Sequence, residues 1–128
     1  MKPRMYAAAA AAAVAALLLS APAADARPTA EITCPAGYVC IYPDINYGGQ
    51  PWVKRAVDGS VAELPSSIRD KGSSIRNASN RTARVYRHRL YTGSHVCVVP
   101  GGSINDLRSY ALNDQTRSLR VNSSYCGT

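Results

Sequence analysis

The sequence predicts an all-β domain built from two similar halves. Two observations carry this. The chain repeats at an offset of 44 residues: Tyr42, Tyr47 and Gly49 recur as Tyr86, Tyr91 and Gly93, and Asp70, Ser74 and Arg76 recur as Asp114, Ser118 and Arg120. Ile41/Val85, Ile68/Leu112 and Ile75/Leu119 match in character at the same offset. Short runs rich in Val, Ile, Tyr and Thr are also broken throughout by Gly, Pro, Asn and Asp, the pattern of strands joined by tight turns. Two copies are too few for a solenoid. They suit two halves of one small domain that bury their apolar faces against each other.

The first 26 residues stand apart. Lys2 and Arg4 precede a nearly continuous run of Ala, Val and Leu from Tyr6 to Leu19, and Ala24-Asp25-Ala26 offers a small-residue cleavage signal. This reads as a secretory signal peptide over residues 1–26, so the protein is expected to be secreted and extracellular. Residues 27–33 read as a mobile tail and residues 34–128 as the domain. Cleavage takes the formal charge from +7 to +6, because Lys2, Arg4 and Asp25 are removed.

A domain of this length buries only about two-thirds of its unfolded surface and gains from cross-links. All four cysteines, Cys34, Cys40, Cys97 and Cys126, lie beyond the leader. An even count in an exported chain reads as two disulfides rather than a metal site. Three pairings are open. Cys34 and Cys40 are close in sequence, with Pro35 and Gly37 to turn the chain, which favours Cys34–Cys40 and leaves Cys97–Cys126. The second bridge closes the larger loop and is worth on the order of 3–4 kcal/mol in the chain-entropy account.

In the first half, strands are expected at 39–43, 50–57 and 73–77; in the second, at 84–88, 95–99 and 117–121. Residues 61–64 and 104–107 could each form one helical turn. Gly49 and Gly93 each follow a tyrosine by two residues in a hairpin, a place that calls for positive φ. The polar stretch 77–82 connects the halves. Asn77-Ala78-Ser79, Asn80-Arg81-Thr82 and Asn122-Ser123-Ser124 match the glycosylation sequon, but the Ala-rich leader looks bacterial, so they read as loop residues.

Tyr-x4-Tyr-x-Gly followed by a Ser-containing strand resembles the βγ-crystallin Greek-key motif, present here twice. The resemblance implies a βγ-crystallin-like two-sheet sandwich of two Greek keys with about eight strands, each motif lending one strand to the other's sheet. Greek key 1 would span about residues 39–80 and Greek key 2 about 83–122. The leader, Cys-Pro-Ala-Gly-Tyr-Val-Cys at 34–40, and the Tyr-Pro-Asp-Ile-Asn-Tyr-Gly-Gly that follows resemble a secreted actinomycete family of peptidase inhibitors on this fold. That resemblance implies inhibition of thermolysin-type metalloproteinases by an exposed, pre-organised loop. The matching stretch is Cys97-Val98-Val99-Pro100, with apolar Val98 as the expected contact. The second cysteine of a small closing disulfide is replaced there by Gly101-Gly102.

The βγ-crystallin resemblance also implies two calcium sites, with oxygen ligands suited to a hard cation. The first segment, Arg69-Asp70-Lys71-Gly72-Ser73-Ser74, keeps Asp70 and Ser73 but begins with Arg. The second, Asn113-Asp114-Gln115-Thr116-Arg117-Ser118, keeps Asn113 and Asp114 but has Arg where a hydroxyl is expected. Each is degenerate, so no cofactor is required and calcium is the only candidate ion. No metalloprotease or serine-hydrolase motif occurs, and His88 and His95 have no adjacent acid, so the chain is not expected to be an enzyme. The expected partner is an extracellular protease. A second reading is a structural or antimicrobial module that meets an anionic cell surface through Arg76, Arg81, Arg84, Arg87 and Arg89. Nucleic acid is not an expected partner, and the lack of an exposed apolar stripe favours a monomer.

Overall fold

Alternation of apolar and polar residues sets the sandwich. In the computed structural model, which describes residues 31–127, β1 (Tyr38–Tyr42) turns Val39 and Ile41 inward and Cys40 and Tyr42 outward. The remaining strands are β2 (Trp52–Arg55), β3 (Ser74–Asn77), β4 (Thr82–His88), β5 (Thr92–Val98), β6 (Ser103–Ile104) and β7 (Ser118–Asn122). They form two antiparallel sheets, ordered β2-β1-β3-β6 and β5-β4-β7. The expected leader and the start of the expected tail lie outside the described residues.

The sheet order carries the Greek-key exchange. β6 belongs to the second half but pairs with β3 of the first, Ile75 opposite Ile104. In return, Val61 of the first half bridges Leu119 on β7, with N–H···O bonds of 2.7 and 3.0 Å. Seven strands and this bridge stand where about eight strands were expected. The two helical turns expected at 61–64 and 104–107 are therefore corrected. Val61 and Ile104 enter sheets, and a 3-10 turn begins only at Leu107. A run of four residues cannot distinguish helix from strand by period, and pairing with the other half decides it.

One core lies between the sheets. Val39, Ile41 and Ile75 meet Ala83, Val85, Val96, Val98, Leu119 and Val121, and the connections add Leu64, Ile68, Leu107 and Leu112. A second, smaller cluster of Cys34, Cys40 and Tyr42 lies on the outer face of the first sheet. Disulfides join Cys34 to Cys40 and Cys97 to Cys126.

The repeat is reproduced bond for bond. Ser74 Oγ donates to the Asp44 carbonyl and accepts from the Tyr47 N–H; Ser118 Oγ donates to the His88 carbonyl and accepts from the Tyr91 N–H. Each Ser thus clamps a hairpin in which two successive residues are left-handed, Asn46-Tyr47 and Leu90-Tyr91. Gly49 and Gly93 both have φ +82°, and a Cβ at Gly93 would lie 2.5 Å from the His88 ring. Tyr42 and Tyr86 meet Tyr47 and Tyr91 edge to face.

Candidate inhibitory loop

The segment joining β5 to β6 is built to be rigid. Val99-Pro100-Gly101-Gly102 closes on itself through the Gly102 N–H to the Val99 carbonyl at 2.8 Å. Gly101 has φ +77°. Proline at the second position and a left-handed glycine at the third define a type II turn. No small disulfide closes this turn. Its rigidity comes instead from Asn77, whose side chain is buried at the end of β3. Asn77 Nδ2 donates to the carbonyls of Arg81, Val98 and Val99 at 2.7, 3.0 and 3.2 Å. Its Oδ1 accepts from the backbone N–H and the hydroxyl of Ser79. The Asn77 N–H donates to the Gly102 carbonyl at 2.9 Å, so one residue ties both ends of the turn to the first sheet.

The four residues singled out for this loop separate into two kinds. Cys97 is half-buried and tied to Cys126. Val98 is 2% exposed and sits in the core, which corrects the expectation that it meets a partner: alternation along β5 turns it inward. Val99, at 51% exposure, is the apolar side chain that the turn presents, and Pro100 beside it is exposed. Gly102 lets Val99 sit there, since a Cβ at Gly102 would meet Val99 Cγ2 at 2.8 Å.

The turn projects between two depressions. One, of about 390 Å³, is lined by Val98, Val99, Ile104 and Tyr110 among others. The other, of about 260 Å³, is lined by Glu31, Thr33, Arg76 and Asn77 with Gly101 and Gly102. Tyr110 is 52% exposed and stands on the 3-10 turn Leu107–Tyr110. Asp106 caps that turn by accepting from the Arg108 N–H at 2.9 Å. The Arg108 side chain and backbone hydrogen bonds hold the Asp106 carboxyl below the usual carboxylate range. Sequence reasoning missed Asn77, which reads as a loop sequon, and Tyr110. The Asn-x-Ser spacing was the available signal for Asn77, because it lets an Asn oxygen accept from the Ser two residues on.

The candidate calcium ligands are placed otherwise. Asp70 is bound by Arg117, Nη2 to Oδ2 at 2.8 Å and Nε to both oxygens. These hydrogen bonds raise the Arg117 pKa. Asp114 lines the same depression, together with Arg87, His88, Gln115 and Arg117. Ser73 is buried, and the Oδ1 of Asn113 is a buried acceptor with no partner among the described residues. At Asp70 the residues present do not fit calcium, because the Arg117 guanidinium occupies the space that an oxygen donor would need. No group of three His, Cys, Asp or Glu residues among the described residues could hold a metal ion.

Nor do the clustered arginines form one face. Arg76 lies on the outer face of the first sheet and pairs with Glu31 at 2.7 Å, whereas Arg84 lies on the outer face of the second. Arg89 reaches Glu63, and Arg87 lines the depression with Asp70 and Asp114. The two outer faces of a sandwich point apart.

The sequence matches the model of Peptidase inhibitor family I36 over residues 27–98. The chain belongs to that family. Membership in family I36 places it among inhibitors of peptidases and not among enzymes. The match ends at Val98, so the exposed turn lies just beyond it. No curated protein matches the chain. Among solved structures, it is similar to a domain studied for the evolution of the eye-lens βγ-crystallin fold, at 25% identity and a TM-score of 0.65, over 73% of this chain and 94% of that one. A βγ-crystallin from Ciona intestinalis aligns at 23% identity and a TM-score of 0.58, over 67% of this chain and all of that one. A βγ-crystallin domain from Clostridium beijerinckii aligns at 25% identity and a TM-score of 0.53, over 67% of this chain and 98% of that one. These likenesses establish the βγ-crystallin fold for this member of family I36.

Proposed function

We propose that the protein is a secreted inhibitor of an extracellular metalloproteinase and that the Val99–Gly102 turn is the part inserted into the protease cleft. Family membership supports a protease as the partner. The observation that carries the choice of loop is the double tether of an exposed apolar turn by Asn77. A loop already held in one conformation loses little entropy on binding and resists the distortion that cleavage requires. Val99 would fill the apolar pocket of a thermolysin-type enzyme. Secretion directed by residues 1–26 and the Greek-key limits belong to the same proposal, whereas the expected mobile tail is corrected at its end, because Glu31 and Ile32 are bonded to Arg76 and Tyr42 of the domain.

The test is a titration of the oxidised, secreted protein against a thermolysin-type metalloproteinase, with a serine protease as control. Stoichiometric inhibition of the metalloproteinase alone is expected. Val99→Lys should weaken it by about a hundredfold, the scale of losing a buried apolar anchor. Equal inhibition by the variant would move the contact elsewhere, and no inhibition of any metalloproteinase at large excess would defeat the proposal.

A further inference from the structure

The 44-residue repeat provides an internal comparison of the two outer sheet faces. On the first, the segment from Glu31 to Cys34 is held against the sheet by side-chain and backbone contacts and is stapled to it by Cys34–Cys40. It brings the Glu31 carboxylate to Arg76, Oε2 at 2.8 Å from Nε and 2.7 Å from Nη2. It also brings the Ile32 carbonyl to the Tyr42 hydroxyl at 2.7 Å. Tyr42 is wholly buried there, and its counterpart Tyr86 on the second sheet, with its ring against His95, is 9% exposed.

The second sheet repeats the receiving groups without that acidic cover. Tyr86 and Arg120 stand in the places of Tyr42 and Arg76, on adjacent strands in the same register. Arg120 lies over the Tyr91 ring at 4.3 Å, as Arg76 lies over Tyr47 at 3.7 Å. Among the described residues, no carboxylate pairs with Arg120 and no hydrogen bond forms at the Tyr86 hydroxyl. Arg84 faces Arg120 directly across the strand pair, where the first sheet has neutral Cys40 opposite Arg76. Like charges directly opposed across strands are destabilising. The C-terminal segment covers part of this face: Cys126 is joined to Cys97, and Arg84 donates to the Tyr125 carbonyl at 2.7 Å and to Asn122 at 3.2 Å. A groove of about 380 Å³ remains, lined by Arg84, Tyr86, His95, Arg120, Asn122 and Ser124 and by no acid among the described residues.

We propose that this outer face of the second sheet is a docking site for an extended acidic peptide segment of a partner protein, which lays a Glu or Asp carboxylate on Arg120 and a main-chain carbonyl on the Tyr86 hydroxyl. Arg84 adds attraction without giving up its own bonds. The chain's own Glu31-Ile32 pair shows the chemistry on the first sheet. The site does not depend on the Val99 turn, and its test involves no protease.

The probe is a capped peptide with the sequence of residues 28–33, Pro-Thr-Ala-Glu-Ile-Thr, titrated into the oxidised, isotope-labelled protein at low salt and followed by amide NMR shifts. Saturable shifts on β4, β5 and β7 are expected. The same peptide with Gln for Glu, and the Arg120→Gln protein, should each bind about tenfold more weakly, as loss of one charge-assisted hydrogen-bonded pair implies. Arg76→Gln should leave the site unchanged. The proposal is overturned if the peptide does not bind, if the Glu and Gln peptides bind equally, if the shifts fall elsewhere, or if inorganic phosphate displaces the peptide at equal concentration. The last result would mark a simple anion site. Should Arg120→Gln fail to fold, the paired peptides still decide.

Discussion

Leu90 illustrates a cost borne by single residues. It is exposed and left-handed, φ +57°, where its repeat counterpart is Asn46, also φ +57°. A left-handed non-glycine residue costs roughly 1–2 kcal/mol, and asparagine tolerates that conformation best among those with a side chain. Leu90→Asn should therefore stabilise the fold by about 0.5–1 kcal/mol in urea unfolding. Asn77 is the opposite case. Removing its side chain leaves the carbonyls of Arg81, Val98 and Val99 without their shared donor. Asn77→Ala should cost about 2–3 kcal/mol, since a buried group left unpaired loses its full desolvation energy. It should also loosen the turn, so inhibition should fall by more than the unfolded fraction explains.

At the scale of elements, each disulfide staples a terminal segment to an outer sheet face. Cys34–Cys40 spans 6 residues and Cys97–Cys126 spans 29. Replacing Cys97 and Cys126 together by Ser should lower stability by about 3–4 kcal/mol, measured by denaturant unfolding, because the longer loop constrains the unfolded chain more. The strand runs themselves were legible from alternation. Tyr38–Tyr42 and Ser74–Asn77 lie within a residue of expectation, because one buried and one wet face imposes a period of two. β6 and the Val61 bridge were not, because a two-residue strand has no period to read. Val98 was misread for a related reason. Its place in Cys97-Val98-Val99-Pro100 suggested exposure, but β5 continues to Val98 and turns it into the core.

The whole molecule bears on the ion question by bringing the halves together. Asp70 of the first motif meets Arg117 of the second, residues that neither motif alone would pair. With Arg87 and Arg117 beside the two aspartates, millimolar calcium should leave the melting temperature unchanged. A clear rise would show that an ion displaces the Arg117 guanidinium.

The sequence by itself determined the repeat, the all-β class and the places of the hairpin glycines, because those depend on local pattern and on chemistry each residue carries alone. Tertiary structure decided which strand crosses to which sheet, which valine faces out, how one buried asparagine holds the turn, and why equivalent arginines have different neighbours. Those outcomes depend on contacts between residues 20 to 60 positions apart, and no local period records them.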